Sequence, residues 1–169
     1  RDQSAAFERT QVAAERGAVE PVDSLAEVVA DTPLVLVAAP VGELPPVVRV
    51  VLDRAPEGCT VTDVGSTKGP VCAAAGDDPR FVGGHPMAGR ETAGFEAADP
   101  ALFRERPWVV VPGRADADAV ARVEALATAC GANPFTLDAR AHDTYVAAIS
   151  HMPLIVSAAL VEAVAGGVG

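Results

Sequence analysis

A histidine that could accept a proton stands at the end of an apolar run in the middle of the chain. In the run F-V-G-G-H-P, residues 81–86, two glycines separate the apolar residues from His85, and Pro86 stops regular structure from continuing. Ligands of open α/β sheets bind at the carboxyl ends of strands. An unperturbed histidine has a pKa of about 6.5 and is mostly neutral at pH 7. His85 is therefore predicted to be a general base at a strand end.

A second group of polar residues follows another apolar run. Asp63, Ser66 and Lys68 occur in the run D-V-G-S-T-K-G, which leads into a predicted helix over residues 69–75. The unsatisfied N–H groups at the start of a helix favour anions. Taken alone, the run also fits an ordinary helix start that is capped by Ser66 or Thr67, with Lys68 in solvent. Because both motifs end neighbouring strands at the same edge, a shared site is favoured.

The other two histidines, His142 and His151, lie on one predicted helix. They are nine positions apart, so a straight helix would direct them to different sides. The pair Ser150-His151 fits either an internally hydrogen-bonded pair or the wall of a site. Neither a histidine pair at i, i+4 nor paired carboxylates at ligand spacing occurs, and we predict no metal site.

Composition excludes several classes of function. Of the 169 residues, 50% are hydrophobic and only 4% aromatic, which favours an aliphatic core of parallel strands covered by helices. The formal net charge of −10 argues against binding to nucleic acid or to an anionic membrane surface. The apolar run over residues 34–41 is too short to span a bilayer. Three cysteines without a C-x-x-C motif indicate neither a disulfide framework nor a zinc site, and predict a reducing, cytoplasmic setting.

Periodicity and turn residues predict strands that alternate with helices up to residue 137. The predicted strands cover residues 34–40, 60–64, 81–84, 108–111 and 134–137, and the predicted helices cover 4–16, 25–30, 69–75, 117–130 and a segment that begins at Pro45. Residues 139–165 are helix-like, interrupted only by Pro153. The fold class is therefore α/β: a partial, doubly wound parallel sheet over residues 1–138, followed by the start of an all-α region over 139–169. Since the chain lacks G-x-G-x-x-G after a first strand and opens as though within an element, we expect it to be a fragment.

Three motifs give the chain a strong resemblance to the prephenate/arogenate dehydrogenase family. They are V-T-D-V-G-S-T-K-G-P-V, F-V-G-G-H-P-M-A-G-R-E-T-A-G and A-H-D-T-Y-V-A-A-I-S-H-M-P-L, in this order, and the similarity covers nearly the whole chain. The resemblance implies a Rossmann-like dinucleotide-binding domain followed by a helical dimerisation domain. It also implies oxidative decarboxylation of prephenate, or of its amino analogue arogenate, in tyrosine biosynthesis.

The resemblance implies a role for individual residues. His85 matches the catalytic base, and Ser66 matches a serine beside the nicotinamide and the reacting hydroxyl. The residues implied to line the substrate region are Glu91, His142 and His151. Those implied to lie along the cofactor are Ala39, Pro40, Val41, Asp63 and Ser66.

The expected cofactor is NAD or NADP, with NAD favoured, and the expected partners are a small-molecule substrate and a second copy in a homodimer. Neither nucleic acid nor a membrane is an expected partner. One departure from the family is Leu154, which stands where many relatives have a histidine. The alternatives are an arogenate dehydrogenase, another dehydrogenase of related build, or a fragment that binds or dimerises without catalysis.

Overall fold

The computed structural model describes residues 13–17, 19–22, 24–89 and 97–166; His151 and Gly166 are described by their backbone alone. The expected helix over 4–16 lies largely outside these residues, although 13–15 are helical and Gly17 ends the turn with a φ of +69°. The helices are α1 (Leu25–Val29), α2 (Leu44–Leu52), α3 (Gly69–Ala75), α4 (Ala117–Ala129), α5 (Ala139–Val146) and α6 (Met152–Gly166). The strands are β1 (Leu34–Val37), β2 (Thr60–Asp63), β3 (Phe81–Pro86), β4 (Pro107–Val111) and β5 (Asn133–Thr136).

The five strands form one sheet in the order β1-β2-β3-β4-β5. β1, β2 and β3 run parallel, with Val37 opposite Asp63 and Thr62 opposite Val82. The α/β architecture expected from the alternating pattern is confirmed. The strand and helix ends lie within three residues of the predicted ones; α3 matches its predicted bounds, and β1 stops at Val37 rather than at Pro40.

The sheet is parallel, as predicted, except between β3 and β4. β4 runs antiparallel to β3, with His85 opposite Val109, while β5 runs parallel to β4. A parallel neighbour needs a crossover, usually a helix, and the sequence between β3 and β4 predicts none. The chain therefore turns back at the edge where β3 ends, and β4 begins beside Pro86.

The reversal at β4 explains why helices cover both faces. Right-handed crossovers along β1, β2 and β3 place α2 and α3 on one face, where Val48, Val61 and Val71 are buried. Because β4 points the opposite way, the right-handed crossover to β5 places α4 on the other face, where Val82 and Val123 are buried.

The helical segment after β5 has two parts that differ in packing. α5 packs against α3 and buries His142 and Val146. A five-residue π-helical turn, Ala147–His151, follows, and α6 then exposes its apolar side chains. The turn precedes Pro153, which lacks the N–H that a regular helix would use there. The sequence predicted the interruption at Pro153 but not the widened turn before it.

Candidate active site

The candidate site lies at the edge where β1, β2 and β3 end. Parallel register brings together the loop after β1, the loop after β2 and the end of β3. Asp63 is the last residue of β2, and half-buried His85 lies near the end of β3. The expectation that these motifs meet at one edge is confirmed by this topology.

Lys68 is wholly buried at this edge, so the alternative that leaves it in solvent is wrong. Its ammonium group forms an ion pair with the Asp63 carboxylate and donates a hydrogen bond to the Gly84 carbonyl, 2.7 Å away. Asp63 also accepts hydrogen bonds from the N–H groups of Gly65, at 2.8 Å, and Gly84, at 3.2 Å. Burial lowers the pKa of Lys68 below the usual value for lysine, and the neighbouring Asp63 carboxylate opposes that shift. The pair ties the end of β2 to the residue before His85.

Glycine is required beside this ion pair because the backbones approach closely. A Cβ on Gly84 would lie 2.4 Å from the carbonyl oxygen of Asp63, and one on Gly65 would lie 2.3 Å from Leu44 Cδ1. A side chain at residue 84 would push β3 from β2, whereas one at residue 65 would displace the end of the Leu44 side chain. The glycines of both motifs therefore serve packing around the site.

Asp143, from α5, caps the amino terminus of α3. Its Oδ1 accepts a hydrogen bond from the N–H of Lys68 at 2.7 Å, and its Oδ2 accepts one from the N–H of Gly69 at 2.8 Å. The alternative of a cap by Ser66 or Thr67 is wrong: the helix begins at Gly69 as predicted, Lys68 holds the cap position, and the acceptor comes from Asp143, 74 positions away from Gly69 along the chain.

The same carboxylate starts a chain of hydrogen bonds that reaches His85. His142 is wholly buried, and its Nδ1 lies 2.7 Å from Asp143 Oδ1. Its Nε2 lies 2.8 Å from His85 Nδ1, and the two rings meet edge to face at 5.1 Å between centroids. Burial acts to raise the pKa of Asp143, but the hydrogen bonds from Lys68, Gly69 and His142 hold it below its usual value. An ionised carboxylate thus backs two imidazoles, which is an arrangement suited to proton transfer at His85.

A family model described as the nucleotide-binding domain of prephenate dehydrogenase matches residues 2–135. This chain belongs to the prephenate dehydrogenase family. The match spans the sheet and the motifs that carry Ser66 and His85, so the suspected family is confirmed.

Individual relatives agree with this membership. A probable prephenate dehydrogenase from Streptomyces niveus is 43% identical over 106 residues, which cover 60% of this chain and 29% of the relative. The crystal structure of the Aquifex aeolicus prephenate dehydrogenase with hydroxyphenyl propionate and NAD⁺ matches with a TM-score of 0.80 and 28% identity, over 90% of this chain and 55% of that one. An arogenate dehydrogenase from Synechocystis matches with a TM-score of 0.81 and 30% identity, over 98% and 59%. The chain therefore spans between about a third and three fifths of these relatives.

The remaining residues implied by the prephenate dehydrogenase resemblance are placed as follows. Ser66 is half-buried in the loop between β2 and α3. Pro40 and Val41 are exposed just after β1, and Ala39 packs partly against the core. Glu91 and the side chain of His151 lie outside the described residues.

The residues of this edge fit a flat, partly apolar cofactor ring. The loop after β1 exposes apolar Pro40 and Val41, and a Cβ on Gly42 would meet no atom within 4 Å, so the surface there is open. Within the described ranges, no group of three His, Cys, Asp or Glu residues could hold a metal ion. Half-buried Cys72 is a poor nucleophile near neutral pH, since desolvation raises the pKa of its thiol to about 11.

One helical segment, Ala139–Ala165, is long and apolar enough to cross a membrane, with a mean hydropathy of 1.7. Helices of soluble proteins reach the same length and hydropathy, so these two properties alone do not identify a membrane span. Its first part, α5, instead packs against α3: Asp143 bonds to the start of α3, and His142 bonds to His85 of β3.

Sequence reasoning missed Asp143, and it placed Lys68 in the polar group after β2 without predicting its burial. The available signal for Asp143 was its position directly after His142 in the run H-D, since a carboxylate next to a buried histidine often orients the ring. Nothing local pointed to its contact with the start of α3, because the contact joins residues 74 positions apart.

Proposed function

We propose that the full-length protein is a nicotinamide-dependent dehydrogenase that oxidises and decarboxylates a cyclohexadienyl acid, prephenate or arogenate. Family membership supports the class, and the Aquifex relative binds NAD⁺ in its crystal structure. The observation that carries the proposal is the half-buried imidazole of His85 at the carboxyl edge of β3, hydrogen-bonded to buried His142.

In this proposal His85 accepts the proton of the substrate's ring hydroxyl. When bound, the nicotinamide supplies the acceptor for the hydride that leaves the same carbon. The resulting ketone then withdraws the electron pair of the ring carbon–carboxylate bond, carbon dioxide departs, and the ring becomes a phenol. The proton held by His85 can return to the phenolate oxygen, so that the imidazole ends the cycle neutral.

Ser66 and the loop after β1 have positioning roles in the proposal. Ser66 lies beside the reacting hydroxyl, and Ala39, Pro40, Val41 and Asp63 lie along the cofactor side. Support for this assignment is the common edge of β1 and β2. Asp63 is wholly buried and paired with Lys68, so its proposed role there does not depend on exposure at the surface. Glu91 and His151 are proposed for the substrate side, and His142, whose ring is wholly buried with both nitrogens bonded to Asp143 and His85, is proposed to act on the substrate through His85.

The proposed cofactor is NAD rather than NADP, and the proposed assembly is a cytoplasmic homodimer that forms through the helical region. The exposed apolar side chains of α6 support a homodimer contact in this region. The proposed boundary between the dinucleotide-binding and helical regions is at residue 138.

A panel of four reactions tests the proposed activity. The full-length protein is incubated with prephenate or arogenate and with NAD⁺ or NADP⁺, while reduced nicotinamide and carbon dioxide are both measured. We expect equal amounts of the two products with prephenate and NAD⁺, and a smaller rate with arogenate. A higher rate with arogenate than with prephenate would identify the protein as an arogenate dehydrogenase. The absence of product in all four reactions would refute the proposal.

A further inference from the structure

We infer that Asp143 is a positioning residue that fixes, through His142, which ring nitrogen of His85 carries the proton. The inference deepens the proposed function and rests on it for its catalytic meaning, but the hydrogen-bond pattern itself can be measured without substrate.

Three hydrogen-bond donors converge on the Asp143 carboxylate. The N–H groups of Lys68 and Gly69 can only donate, and they lie 2.7 and 2.8 Å from the two oxygens. These bonds favour the ionised form, which accepts hydrogen bonds and donates none. The His142 Nδ1 atom, 2.7 Å from Oδ1, must therefore carry a hydrogen.

The tautomer of His142 then determines the tautomer of His85. A neutral imidazole has one donor and one acceptor nitrogen, so a hydrogen on Nδ1 of His142 leaves its Nε2 as an acceptor. That Nε2 atom lies 2.8 Å from His85 Nδ1, which must donate to it. The hydrogen of neutral His85 is thus on Nδ1, and Nε2 is the basic nitrogen.

The ammonium group of Lys68 does not compete for the Asp143 carboxylate. The ammonium group of Lys68 is directed to Asp63 and to the Gly84 carbonyl, whereas its backbone N–H goes to Asp143. The His142 ring is wholly buried and cannot exchange its partners for water. The same carboxylate also holds the start of α3, and hence the loop that carries Ser66, against the histidine pair.

The test reads the tautomers directly from the ¹⁵N side-chain chemical shifts of His85 and His142, near neutral pH. We expect both wild-type rings to carry hydrogen on Nδ1, and a wild-type His85 with hydrogen on Nε2 would overturn the inference. Asp143→Ala should give mixed tautomers at both rings. Asp143→Asn keeps an acceptor oxygen toward His142 and should restore the wild-type tautomers without the negative charge.

Asp138→Ala is the matched control. Asp138 also caps a helix, its carboxylate accepting a hydrogen bond from the Ala141 N–H at 2.8 Å, and its bond to His142 joins the two backbones, which an alanine at residue 138 keeps. It should lower stability without changing either tautomer. If Asp143→Ala likewise lowers stability and leaves both tautomers as in the wild type, Asp143 is only a cap and the inference is wrong.

Kinetics of the full-length protein then separate this inference from the proposed function. With the cyclohexadienyl substrate, Asp143→Ala should lower kcat by about 10²-fold, within the range of a disturbed general base, and leave the KM for the cofactor unchanged. An inactive wild type that still shows hydrogen on Nδ1 of His85 would refute the proposed function while the positioning role stands.

Discussion

Lys68 shows how strongly the site depends on a single buried charge. A lysine in a loop before a helix is ordinarily solvated, and the local sequence gives no reason to expect otherwise. Its burial follows from Asp63 and the Gly84 carbonyl, which supply partners only after β2 and β3 have paired. His85, by contrast, could be predicted, because glycines and a proline around a histidine mark a strand end within the sequence itself.

Lys68→Met should destabilise the protein by about 3–5 kcal/mol, because it leaves the Asp63 carboxylate buried without its partner. The measurement is the free energy of unfolding in urea. Arg49→Met is the control, since Arg49 forms an exposed ion pair with Asp53 at 3.8 Å and should cost less than about 1 kcal/mol. Equal losses in the two variants would show that the Lys68–Asp63 pair does not hold the site together.

Among the pairs of elements, β2 and β3 approach each other closely at Gly84 and Asp63. The alternating pattern predicts strands and helices well because apolar runs and turn residues are local. It does not predict the direction of β4, which depends on how the long connection after β3 returns to the sheet. The docking of α5 was likewise beyond local reasoning, because Asp143 bonds to the start of α3 and His142 bonds to His85 of β3, both far away along the chain.

Gly84→Ala should lower stability by about 1–3 kcal/mol, the usual cost of overpacking, because the new methyl group would lie 2.4 Å from the Asp63 carbonyl oxygen. Thermal unfolding measures the loss. Gly42→Ala is the control, since a Cβ there meets nothing within 4 Å and the residue has no positive φ. A Gly84→Ala variant as stable as the control would mean that β2 and β3 are not packed as described.

The whole molecule is uneven in how its apolar surface is covered. The sheet buries its side chains on both faces, whereas α6 exposes Leu154, Leu160 and Val161 to between 62% and 69%. Apolar patches of this kind mark interaction sites or aggregation-prone surfaces. The sequence predicted a helical region here. Its periodicity does not identify the surface that would cover the apolar side chains of α6.

Leu160→Lys should shift the protein toward the monomer if α6 forms the proposed homodimer contact. A charge at a buried apolar interface is costly, so the dissociation constant measured by sedimentation should rise at least about tenfold. Ala125→Lys, on the exposed side of α4, is the control and should leave association unchanged. Association that responds to neither variant would place the dimer contact elsewhere.

The central claim is that His85 is the base of the proposed dehydrogenase, and His85→Asn in the full-length protein tests it most directly. Asparagine keeps a polar side chain of similar size but cannot take up the hydroxyl proton. The measurement is kcat with prephenate and NAD⁺, together with the cofactor dissociation constant. We predict a fall in kcat of about 10²–10⁴-fold with cofactor binding unchanged. A variant that turns over substrate at the wild-type rate would contradict the account.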